Sequence, residues 1–164
     1  MVNSNLQEAI ENLKISDLYV RDLICKCGEG FDPKYFDMEG LIFQTKHMVT
    51  KSEVVQSDDD LKLFRVFVDV GIKWSSDAKE EQTDLDYLAL IEATYVAEYR
   101  ITSELNKECL DEFALRNVSY HVWPYWRELL TSQCERMRLP RIILPTVQFA
   151  ENHGKLPEQE DNPD

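Results

Sequence analysis

With 164 residues, 43% of them hydrophobic, the chain can build one well-packed domain, and no apolar run nears the roughly 18 residues a membrane span needs. A formal net charge of −13 argues against nucleic-acid binding and favours solubility or a basic partner. The opening MVNSNLQEAIENLK lacks a basic start and an apolar stretch, so no secretory signal or membrane insertion is expected, and the expected location is cytoplasmic.

Leu6, Ile10 and Leu13 give Asn3 to Leu13 the apolar edge of a short helix, with Asn5 as its expected cap and Glu8 three residues on. Ile15 to Cys27 reads as a first strand. Its apolar residues Leu18, Val20, Leu23 and Cys25 do not alternate cleanly, which predicts a bulge or burial on both sides. The connection from Gly28 to Gly40 is long for a hairpin and carries Phe31, Tyr35 and Phe36. Aromatics in such a connection either fold back over a core or line a binding surface.

Leu41 to Val55 is a predicted second strand, followed by the turn Ser57-Asp58-Asp59-Asp60. Leu61 to Trp74 is the clearest strand: Phe64, Val66, Val68, Val70, Ile72 and Trp74 share one face, with Arg65, Asp69 and Lys73 on the other. After a charged loop from Ser75 to Asp84, Asp86 to Thr102 alternates again. Tyr87, Ala89, Ile91 and their successors face one way; Leu88, Leu90, Glu92 and theirs face the other. Charges interrupted by Leu88, Leu90 and Val96 suit a partner contact.

From Ser103, an expected cap, the spacing turns helical, with Leu105, Cys109 and Phe113 every fourth residue to Asn117. The longest helical pattern follows: Trp123, Trp126, Leu130, Cys134 and Met137 share one stripe, which stops at Leu139 before Pro140. Pro124 belongs in a first turn or at a kink. The expected fold class is α+β: a four-stranded antiparallel sheet followed by a long C-terminal helical segment packed on one face. Residues 1–149 form a single domain in this reading, and the acidic residues 150–164 a disordered tail.

Catalytic signatures are missing. His47, His121 and His153 are scattered, and five glycines form no phosphate-cradling loop. Cys25, Cys27, Cys109 and Cys134 show no zinc spacing; they read better as small buried or half-buried thiols than as metal ligands with His47. No enzyme activity, metal or cofactor is expected. The competing class, a small-ligand-binding α+β enzyme, needs a convergent acid or base in an apolar cavity, and none stands out. The aromatic group Trp123, Tyr125 and Trp126, with Trp74 and Tyr120, suits a core or an adaptable apolar groove.

Trp123-Pro124-Tyr125-Trp126-Arg127-Glu128, then Thr131-Ser132, Leu139-Pro140, Leu144-Pro145 and Val147-Gln148-Phe149, resemble in order and spacing the C-terminal signature of the SecB family of export chaperones. The resemblance implies an ATP-independent holdase, a dimer of dimers, that keeps unfolded or precursor polypeptides in apolar grooves and delivers them to the motor SecA. It would place Phe31, Tyr35, Phe36, Trp123 and Trp126 near the client groove. It would also give Asp22 and the Leu90-Ile91-Glu92 step, through Leu90 and Glu92, the role of the SecA-docking face. Two departures stand beside it. Lys26 occupies the family's second acidic position, and no amphipathic helix pattern follows Phe149. Some SecB-like proteins serve one antitoxin of a toxin–antitoxin system, and the departures fit that alternative too.

Overall fold

The computed structural model describes residues 3–76 and 87–144. In chain order the elements are α1 (Ser4–Asn12), β1 (Leu13–Cys27), β2 (Leu41–Gln56), β3 (Lys62–Ser76), β4 (Ala89–Ile101), α2 (Lys107–Arg116) and α3 (Val118–Arg136). The four strands make one antiparallel sheet in the order β1-β4-β3-β2. Most of the expected charged loop before β4, the Val147–Phe149 step and the expected acidic tail lie outside the described residues.

β2 and β3 are joined by a tight turn in which Asp60 adopts φ 63° and its Oδ1 accepts from Gln56 Nε2 at 2.6 Å. Short polar residues tolerate that left-handed backbone. β1 and β2, consecutive in sequence, lie on opposite edges, so the connection between them must cross the end of the sheet. Gly28 starts that crossing. Its N–H donates to Leu88 O at 2.7 Å, and a Cβ there would sit 2.5 Å from Tyr87 O, so no larger residue fits without moving backbone. Phe31 then turns into the core and meets Phe36 edge-on at 4.9 Å.

One face of the sheet, the inner face, packs on the helices. The row Phe64, Val66, Val68, Val70, Ile72 and Trp74 is buried throughout, and the Ala89, Ala93 and Ala97 positions of β4 leave room for helix side chains. Pairing register explains the broken pattern of β1. Ile15, Leu18, Val20, Leu23 and Cys25 all lie opposite inner-face residues of β4, because irregularities between Ile15 and Asp17 and between Val20 and Asp22 each insert one residue. The predicted bulge is therefore two bulges.

α3 carries the expected stripe through Trp123, Trp126, Leu130 and Cys134, buried together with Val118 and Val122, while Met137 follows the helix as its cap and is only half-buried. The helix starts beside β2, where Ser119 meets His47, and packs across β3 and β4. Pro124 stands inside the helix, beyond the first turn, on an exposed position. The helix closes through Leu139 N–H to Cys134 O at 2.9 Å and Arg138 N–H to Glu135 O at 3.3 Å, with Arg138 at φ 55°.

Several boundaries differ from expectation. Asn3, not Asn5, caps α1, its side chain accepting from Asn5 N at 3.1 Å. Asn106, not Ser103, caps α2, accepting from Cys109 N at 2.8 Å. A side-chain carbonyl three residues ahead of an unpaired N–H is the favoured geometry, and Ser103 lies too far upstream to reach it. α2 and α3 are separate helices joined at Asn117. β4 starts at Ala89, and just before it the alternation reverses: Leu88 packs on the core, and Tyr87 lies under Lys26 Nζ, 5.4 Å from its ring centroid. A cation over the ring favours that reversal.

Candidate functional site

Two surfaces carry the residues singled out from the sequence. On the inner side, Trp126 is 1% exposed, and Phe31 and Trp123 are also buried. These three fill the space between helix, sheet and connection. Tyr35 and Phe36 differ: they are 78% and 39% exposed. Asp32 holds the turn beneath them, its backbone carbonyl accepting from both Tyr35 N–H and Phe36 N–H at 3.1 Å. Phe43, opposite Trp74 in register, continues the apolar surface along β2 and is 51% exposed. Four residues on, His47 meets Trp123 edge-on at 6.0 Å, and its Nε2 lies 2.7 Å from Ser119 Oγ. Along the other edge, Ile15, Val20 and Leu23 present exposed inner-face side chains that no helix among the described residues covers. After α3, Ile142 and Leu144 are buried while Ile143 between them points to solvent. Phe43 was not singled out from the sequence; its position in the alternation of β2 was the available signal.

The titratable groups on this side are arranged for packing. Burial holds the Tyr99 phenol well above its usual range and lowers His121 below the usual imidazole value. Tyr99 Oη lies 2.7 Å from His121 Nδ1, a hydrogen bond between the two side chains. Burial pushes the Cys134 thiol up to about 11, and Cys25 and Cys109 are raised as well, first by burial. Such thiols stay protonated and unreactive. Among the described residues no three His, Cys, Asp or Glu side chains gather as a metal site.

On the outer face, Asp22, Leu90 and Glu92 share one side: Asp22 lies opposite Thr94, Glu92 opposite Ile24, and Leu90 opposite Lys26. Their carboxylates already have cations beside them. Arg21 Nε is 3.6 Å from Asp22 Oδ2, and Lys46 Nζ is 3.7 Å from Glu92 Oε1 and 3.6 Å from Asp69 Oδ2. The middle of this face holds a feature the alternation reading passed over. Phe67 is buried there at 5% exposure, under Arg21, Lys51 and Arg65, whose charged ends lie 5.6, 5.0 and 5.4 Å from its ring centroid. Arg65 is fixed by Glu98 at 2.9 Å, by Glu53 at 3.2 Å and by donation to Tyr19 Oη at 2.7 Å. Strands β1, β2 and β3 bring these cations together, Arg21 from beyond β4, so only the register reveals them.

A four-stranded antiparallel sheet with its long bent C-terminal helical segment on one face is the SecB-like fold. A solved SecB-like chaperone from Mycobacterium tuberculosis, in complex with a ChAD peptide from the HigA1 antitoxin, has this architecture, with a TM-score of 0.68, 16% sequence identity, and coverage of 89% of this chain and 98% of that one. At that identity the likeness is one of fold. No protein-family profile and no curated protein matches the sequence.

Proposed function

We propose that this chain is an ATP-independent holdase that binds non-native polypeptide segments on the inner apolar surface. The observation that carries the reading is the exposure of the aromatics Tyr35, Phe36 and Phe43, with Phe36 against the buried Phe31 and Phe43 opposite the buried Trp74. Exposed large apolar side chains on one side of a highly charged protein mark an interaction surface. Contact of this kind needs no sequence-specific hydrogen bonds, and burying ~100 Å² of client side chain is worth about 2.5 kcal/mol. Several such sites in one oligomer reinforce each other through effective concentration.

The second reading within this class, a chaperone dedicated to one antitoxin, has a specific observation in its favour over delivery to SecA. The carboxylates resembling the SecA-docking features, Asp22 and Glu92, are partly neutralised by Arg21 and Lys46, and Lys26 stands nearby. A basic docking segment meets less negative charge there than an unpaired acidic face would offer. The solved structure with this fold holds an antitoxin peptide, which supports a polypeptide client. Homo-oligomerisation also belongs to this proposal. β1 is an edge strand of 15 residues whose apolar inner side chains are exposed, and long apolar edges are normally covered.

The test is aggregation of a chemically unfolded client with and without the protein, no nucleotide added, together with binding to SecA and to an antitoxin peptide. Suppressed aggregation supports the holdase. Peptide binding without SecA binding supports the dedicated version. Unchanged aggregation of every client rejects both.

A further inference from the structure

The outer face has a depression of about 570 Å³ at the end of the sheet nearest the β1–β2 connection, away from the apolar inner surface. Its floor is Gly71, a glycine inside a central strand. There a Cβ would meet Glu92 Cγ at 2.8 Å, so the missing side chain is what lets Glu92 lie across the floor toward Lys46. Glycine weakens a strand interior, and its presence often marks a close approach by another chain. Lys26, Lys46 and Lys73 stand around the rim, with Glu92 the one carboxylate among the lining residues, and Tyr87 and Leu90 supply apolar wall. Lys46 is engaged by Glu92 and Asp69, and Lys26 lies over the Tyr87 ring. Lys73 has no carboxylate partner among the described residues. In a chain of net charge −13, this depression is a local excess of positive charge.

We infer that this depression docks an acidic peptide segment of a partner protein, one carrying two or three carboxylates beside a leucine or phenylalanine. Charge complementarity selects the acidic side chains, Lys73 and Lys26 being available to them, while Leu90 and the Tyr87 ring take the apolar anchor. The net charge of the whole chain repels long polyanions, which leaves a short acidic segment as the fitting occupant. The preference is opposite in sign to the basic partner that net charge alone favours. It concerns a separate face, so it stands or falls apart from the inner groove.

The test is fluorescence anisotropy with a labelled peptide of acidic residues around one phenylalanine, and a basic peptide of equal length and anchor, on the full chain. The acidic peptide is expected to bind and the basic one not. Lys73→Glu with Lys26→Glu should weaken acidic binding at least tenfold, and Glu92→Lys should strengthen it severalfold. Tyr35→Ala leaves it unchanged. Thermal melts of each variant show that the fold persists, since these side chains are on the surface. Stronger binding of the basic peptide overturns the proposal. So does acidic binding that appears only once the carboxylates of residues 77–86 are neutralised, because the occupant would then be this chain itself.

Discussion

His47 Nε2 and Ser119 Oγ, 72 positions apart in sequence, lie 2.7 Å apart and fasten the start of α3 to the edge strand β2 beside Trp123. Ser119 is buried, so the pair fixes where the helix begins its crossing and with it the wall behind Phe43. Replacing Ser119 with Ala should cost ~1 kcal/mol of stability, a typical value for one buried hydrogen bond. Denaturant melts check this, and a loss within error of zero would mean that water replaces the hydroxyl.

His121 predicts a pH dependence. Burial lowers its pKa in the folded chain, so the unfolded chain binds the proton more readily. Its contribution is complete above the ordinary imidazole value of about 6.5 and is lost as pH falls through the folded pKa. The difference in stability between the wild type and His121→Gln should therefore shrink from about pH 7.5 to pH 5, as measured by urea melts. A difference that grows on acidification would contradict the assignment.

The broken rhythm of β1 shows how far the residues speak for themselves. Ile15, Leu18, Val20, Leu23 and Cys25 betray bulges through their irregular spacing, although only pairing with β4 gives their number and place. The stripe of α3 was legible because helical periodicity is local. Sheet order was not, because nothing in the spacing says that β1 joins β4 across the sheet from β2. Phe67 was missed for the same reason: its burial depends on Arg21 from β1, beyond β4, and on Lys51 from β2. Among the groove candidates, residue type alone could not separate Phe31 and Trp126, which fill the core, from Tyr35 and Phe36, which show surface. That distinction arises from the turn at Asp32 and the path of the connection.

Trp126→Ala should destabilise by ~3–5 kcal/mol, the usual result of emptying a large buried site. Calorimetry or denaturant melts measure it. A loss under about 1 kcal/mol would mean the neighbouring side chains collapse into the space.

Oligomeric state gives a separate check. Sedimentation at micromolar concentration should show a dimer or tetramer, and Leu23→Glu on the exposed inner side of β1 should shift it toward single chains. A wild-type chain sedimenting only as a monomer would leave the edge strand without the proposed cover.

The most direct test compares capture of unfolded clients by the wild type, Tyr35→Ala and the double variant Tyr35→Ala with Phe36→Ala. Tyr35 makes few contacts, and Phe36 gives up one edge-on ring pair with Phe31, worth about 0.5–1.5 kcal/mol, so both variants should stay folded with a cooperative melt. The holdase account predicts that wild type suppresses aggregation without nucleotide, that Tyr35→Ala does so less well, and that the double variant is weaker still. Equal capture of every client by all three proteins, or none by the wild type, would contradict it.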